Sequence, residues 1–240
     1  MNNLRTFKNP YDISKKLLWF KDKSEVSKQH WPHAMTFDFK IKRDIIDYIL
    51  LNNFYDVAII DCGAHIGDGV IPIAQILAER NVTIYAIEPS FEKCKYIEFI
   101  CNNNNLTNVK ILNCGLTDTE TTYDIDETQD INLKKPWNKG YKNSGSLIWH
   151  KSKNGVDFKT LDSLVECGDI KEEIKVVHLD VEGMERNVII GSQNILHKYS
   201  PHLSIENNTN NSVFDLLPIK YIFKGKILAN DIFDVSEFIT

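Results

Sequence analysis

No stretch of this 240-residue chain approaches the roughly 20 consecutive apolar residues that cross a bilayer, so no membrane span is expected. The segment MNNLRTFKNPYDISKK has no apolar signal-peptide core, which points away from export. Cysteine is scarce and unpatterned. Cys62, Cys94, Cys101, Cys114 and Cys167 form an odd set without C-x-x-C spacing, so free thiols in a reducing cytoplasm fit better than disulfides or zinc. Positive charge is in deficit, with 28 Lys and Arg against 33 Asp and Glu. The resulting net charge of −5 argues against a nucleic-acid partner, whose phosphates demand a basic surface. Internal repeats are absent as well. What is present is ordinary for a globular protein: 42% hydrophobic and 25% charged residues, in a length that suits one domain with a continuous core.

From residue 57 onward, strand and helix patterns alternate. Val57 to Asp61 is a short apolar run, as expected of a parallel strand buried on both faces. Val70 to Arg80 has helical spacing, Thr83 to Glu88 reads as a strand stopped by Pro89, and Phe91 to Asn103 as an amphipathic helix. Val109 to Leu112, Ile174 to Asp180 and His202 to Glu206 supply further strands, with one helix expected over Met184 to Tyr199. The tail adds two short β-like pieces, Tyr221 to Phe223 and Lys226 to Leu228. Alternating βα units predict an α/β fold with a doubly wound, mostly parallel sheet. Residues 1–40 read as a helical cover on this single domain. Residues 117–160 break the rhythm: they are polar, with Trp137, Tyr141 and Trp149, and are expected to form an insertion that acts as a lid over the acceptor.

In open α/β sheets, ligands sit beyond the carboxyl ends of the strands. After the first strand comes Asp61-Cys62-Gly63-Ala64-His65-Ile66-Gly67-Asp68-Gly69. Glycines there let a ligand approach the backbone, and the following helix offers free N–H groups to an anion. Glu88 ends the next strand, placed to accept hydrogen bonds from two ribose hydroxyls. The glycine spacing is G-x-x-x-G-x-G, without the middle glycine of the dinucleotide fingerprint G-x-G-x-x-G. That weakens a pyrophosphate site, and an NAD-dependent oxidoreductase is kept as the alternative.

Taken in order, IIDCGAHIGDG, YAIEPS, VKILNCGLTD, NSGSL, FKTLDSL, VVHLDVEGMERNVIIGS and PHLSIE resemble the FkbM-type methyltransferases over about residues 57–206. The resemblance implies a Rossmann-like class I methyltransferase fold and S-adenosylmethionine as donor. It also implies O-methylation of a sugar, nucleotide-sugar or related small hydroxyl-bearing metabolite. By position it implies donor contacts from Asp61, Gly63, His65, Gly67, Glu88, Pro89, Asn113, Gly115 and Asp180, with Asp180, Glu182 and Gly183 as the D-x-E-G element. His65 stands where the family often has Asn, and His178 where it often has Lys. A non-catalytic module that retains donor binding is the third reading.

Methyl transfer to a hydroxyl needs the acceptor oxygen held in line and its proton removed. Two arrangements meet that need. His178 shares a strand face with Asp180 and is placed to act as general base, with Asp180 or Glu182 orienting it. Alternatively, Asp180, Glu206 and Asn207 at two strand ends provide three oxygen ligands of the kind Mg2+ takes. The first predicts a metal-independent enzyme, the second a chelator-sensitive one.

Overall fold

The computed structural model describes residues 4–20, 39–125, 149–152, 155–207 and 213–235. It opens with a hairpin of β1 (Leu4–Asn9) and β2 (Asp12–Phe20) in place of the expected helical cover. The reason is legible afterwards. Asn9-Pro10 is a turn signal, and buried Leu17 and Trp19 alternate with less buried neighbours at the strand period. Asn104 reads the outer edge of this hairpin like a strand: its Oδ1 accepts from the Leu18 N–H (2.7 Å) and its Nδ2 donates to the Leu18 carbonyl (2.8 Å). Helix α1 (Phe39–Leu51) follows, burying Ile41, Ile45, Ile46 and Ile49.

The central layer then assembles. Strand β3 (Val57–Cys62) leads through a glycine loop into α2 (Val70–Leu77), and β4 (Thr83–Ile87) leads into α3 (Phe91–Asn103). Ser90 caps α3 by accepting from the Lys93 N–H, the usual start signal of a helix. After β5 (Val109–Leu112) come β6 (Gly115–Leu116), β7 (Thr121–Ile125), β8 (Trp149–Lys151) and β9 (Val156–Lys159). These last four form a separate small sheet in the order β6-β9-β7-β8, so the described part of the expected insertion is an ordered β layer. Trp137 and Tyr141 lie outside the described residues.

The chain continues through α4 (Leu161–Glu166) to β10 (Glu173–Leu179). The single helix expected over Met184 to Tyr199 is two, α5 (Glu185–Ile190) and α6 (Gln193–Tyr199). The break falls at Gly191, where a Cβ would meet the Thr117 carbonyl oxygen at 2.3 Å, so the backbone bends against the small sheet. Strand β11 (His202–Glu206) precedes β12 (Tyr221–Ile227) and β13 (Asn230–Val235). The two β-like tail pieces are therefore one strand, interrupted by a register shift at Gly225, with a hairpin partner the tail pattern did not announce.

The main sheet has the order β12-β13-β11-β10-β3-β4-β5, with β13 antiparallel to both neighbours and the rest parallel. This is the doubly wound, mostly parallel sheet expected. Its strands separate two cores: Val57, Ile59 and Val176 face α1, α2 and the hairpin, whereas Ala58, Ile60, Cys62, Val177 and Leu179 face the other side. Burial on both faces explains why these strands read as continuous apolar runs. The chain winds outward from β3 through β4 to β5, then returns to β10 on the other flank of β3. The switch point thus lies between the carboxyl ends of β3 and β10, where a ligand crevice is expected. Among the described residues no helix is long and apolar enough to cross a membrane.

Candidate functional site

Three loops meet at that switch point. The loop after β3 is latched to β4, because the Gly63 and Ala64 N–H groups both donate to the Ile87 carbonyl (2.9 and 3.1 Å). It is latched to β10 as well. Gly63 lies at φ +86°, and a Cβ there would sit 1.9 Å from the Asp180 carbonyl oxygen. Glycine at 63 is therefore required by close contact between two strand ends. Gly67, at φ +83°, is tight against Ile71 and Ile97 and begins the turn into α2. Between them His65 also has positive φ (50°), a region that Asn, Asp and His enter more readily than other side chains. That accounts for a histidine at a position where the resemblance expects Asn.

Glu88 closes the second side of the crevice. Its carboxylate is buried and accepts from the His65 N–H (3.0 Å) and the Ser90 N–H (2.9 Å), with Lys93 Nζ at 3.7 Å. A carboxylate has about four lone-pair sites, so capacity remains for a ligand hydroxyl. Asn113 holds the Glu88-Pro89 turn by donating from Nδ2 to both carbonyls at 3.0 Å. Gly115 has a packing role, since a Cβ would fall within 2.4 Å of the Phe158 ring.

The third side is the acidic one. Asp61 pairs in register with His178 across β3 and β10, and both face the α1 side of the sheet. Burial raises the Asp61 carboxyl, against the pull of His178 and Lys42. Asp180 is also held well above the usual carboxylate range, by burial and by the adjoining Glu206, with which it shares a hydrogen bond; His178 opposes the shift. A hydrogen bond between two carboxyl groups requires a proton between them. Nδ1 of His178 is buried and has no hydrogen-bond partner among the described residues.

Glu182 occupies the left-handed region (φ 53°) beside Gly183 (φ 97°). Such strain persists only where surroundings impose it. Here Glu185 does so, accepting from the Val181 N–H (3.3 Å) and the Gly183 N–H (3.1 Å). Glu185 is buried and was not singled out from the sequence, although an acid in the first turn of a helix is a recognisable capping signal. Lys42 and Asp68, an ion pair at 3.3 Å beside the donor loop, were also missed.

Of the three proposed metal ligands, Asn207 keeps a buried Oδ1 without a hydrogen-bond partner among the described residues. Asp180 and Glu206 are bonded to each other, and Asn207 Nδ2 donates to Asp231 at 2.6 Å. Among the described residues no group of three His, Cys, Asp or Glu side chains is arranged to hold a metal ion. The structure gives Mg2+ no support, and no step is derived through it.

A doubly wound sheet with a glycine loop at its switch point and acids ending adjacent strands defines the Rossmann-like class I methyltransferase fold. Residues 61–224 match the methyltransferase FkbM domain, and the chain belongs to that family. The match favours a methyltransferase over the oxidoreductase alternative. No curated protein matches the chain. Among solved structures, a methyltransferase FkbM from Methylobacillus flagellatus KT is 14% identical, with a TM-score of 0.49 over 75% of this chain and 44% of that one. This chain therefore spans less than half the length of that protein. A SAM-dependent methyltransferase from Aquifex aeolicus is 11% identical, with a TM-score of 0.42 over 82% of this chain and 81% of the other.

Proposed function

We propose that the protein transfers a methyl group from S-adenosylmethionine to a hydroxyl of a sugar, nucleotide-sugar or related small metabolite. The observation that carries this reading is the grouping of His178, Asp180 and Glu206 at the carboxyl edge of β10 and β11, beside the glycine loop that ends β3. The residues around the crevice suit the donor: Glu88 has acceptor capacity for ribose hydroxyls, and the loop from Gly63 to Gly69 leads into α2. When bound, the donor supplies an electrophilic methyl on a sulfonium centre. His178 Nδ1, lacking a partner, takes the hydroxyl proton as the acceptor oxygen bonds to the methyl carbon and the carbon–sulfur bond breaks. Asp180 orients the acceptor, and a carboxyl that stays protonated can donate to an acceptor oxygen.

Asp180 and Glu206 beside His178 suit a neutral sugar hydroxyl, to which carboxyl groups can hydrogen-bond. Titration calorimetry with S-adenosylmethionine and with NAD, followed by turnover against a panel of free and nucleotide-linked sugars, tests the reading. Binding of NAD alone, or donor binding without methylation of any hydroxyl acceptor, would sink it.

A further inference from the structure

Lys42 stands on the apolar stripe of α1, in helical phase with Ile45, Ile46 and Ile49, where the core would accept an aliphatic residue at no desolvation cost. It is the one buried lysine or arginine among the described residues. A buried ammonium persists only when paired, and its position shows what it pairs with. Nζ is 3.3 Å from Asp68 Oδ2, whose side chain is buried almost as deeply. A point placed where a Gly69 Cβ would be lies 3.7 Å from Lys42 Nζ and 3.6 Å from Asp61 Oδ2. Lys42 Cε lies only 3.1 Å from that point, so glycine at 69 makes room for the Lys42 stem to reach the loop leading into α2. Helix α1 precedes residues 61–224, so this contact comes from outside the segment that matches the family.

We infer that Lys42 is a positioning residue of the donor site: its ammonium holds the Asp68 carboxylate beside Gly69, where Asp61 also approaches, and so sets the affinity for the donor's charged amino-acid end. The inference rests on the donor reading above. Without Lys42, Asp61 and Asp68 face one another across a desolvated space, with Glu88 and His178 near Asp61 and His65 Nδ1 3.7 Å from Asp68. The two acids then repel each other and leave their places. The proposed ribose and purine contacts, at Glu88 and Asn113, lie at the ends of β4 and β5, whereas Lys42 reaches the loop from α1.

Two ligands that differ only at the amino-acid end separate positioning from general support. S-adenosylhomocysteine carries that end, whereas 5′-methylthioadenosine lacks it. Calorimetry on the full chain should show Lys42→Met binding S-adenosylhomocysteine at least about tenfold more weakly, with methylthioadenosine unchanged and Lys42→Arg restoring most of the loss. Equal weakening of both ligands, or of neither, would overturn the inference. If Lys42→Met does not fold, Lys42→Gln keeps a polar end without the charge, and normal binding of S-adenosylhomocysteine by that protein overturns the inference equally. A wild-type chain that binds neither compound would instead overturn the functional reading itself.

Discussion

His178 and His202 project from neighbouring strands onto the same face of the sheet, His178 at the carboxyl edge and His202 at the amino edge. Their surroundings are opposite in kind. His202 is enclosed: Nε2 lies 2.9 Å from Asp44, Nδ1 is buried without a hydrogen bond among the described residues, as in His178, but lies 3.7 Å from the Asp234 carboxylate, and the ring stacks on Tyr48 with centroids 4.4 Å apart. His178 sits beside acids, one of which is already bonded to another, and its Nδ1 has no partner. One imidazole has its charge balanced by structure, and the other is left with capacity at the edge where ligands bind. Residue type and strand face do not separate a structural histidine from a reactive one; the partners do.

The comparison breaks most violently if the carboxyl edge itself is forced apart. Gly63→Val places a branched side chain where 1.9 Å separates a Cβ from the Asp180 carbonyl, at a positive φ that valine disfavours. The expected outcome is loss of the cooperative thermal transition and of all donor binding. A folded variant with normal affinity would show that the loop is not locked to β10. Next in size, His178→Ala should lower turnover by about 10²- to 10⁴-fold with donor affinity unchanged, the usual worth of a positioned base. With His178 as the base, chelation should leave turnover intact. Rescue of a chelated enzyme by Mg2+ would defeat that expectation.

These sites were unequally visible in the sequence. The donor loop was readable because its cause is local: glycines after an apolar run, and acids at strand ends, announce a crevice without reference to distant residues. Glu88 and Asn113 belong to the same category. Lys42 was not readable, since on a helical wheel it looks like one polar residue on an apolar stripe, and its partner Asp68 lies 26 residues away. The hairpin at the start is hard to read because its alternation, Leu17 and Trp19 buried against less buried neighbours, spans few residues. Gly191 was absorbed into a long helix because only its contact with Thr117 reveals a break. Periodicity reports which face is buried; it is silent on what lies opposite.

A smaller effect sharpens the donor side. Glu88→Ala removes an acceptor of two backbone N–H groups as well as the proposed ribose contacts. Donor affinity should fall by about 1.5–3 kcal/mol, the range for hydrogen bonds to a charged group. Calorimetry measures this directly. An unchanged dissociation constant in a folded variant would remove Glu88 from the ligand and leave it a loop cap.

The smallest effect belongs to the amino edge and concerns stability. Burial alone would lower the His202 imidazole, yet the pull of Asp234 and Asp44 outweighs it, and the net shift is upward from 6.5. A folded state that holds its proton more tightly than the unfolded chain is favoured fully below about pH 6.5 and loses that advantage as pH rises through the folded value. Urea denaturation across this interval should therefore show stability declining with pH. His202→Gln should flatten that decline and cost about 1–3 kcal/mol at the acidic end, because Asp44 and Asp234 lose their cationic partner. Turnover measured on the folded variant should be unaffected, since His202 lies at the opposite end of the strands from His178. Parallel pH curves for the variant and the parent would show that another group sets the decline. A turnover defect matching that of His178→Ala would mean the two edges of the sheet are not independent.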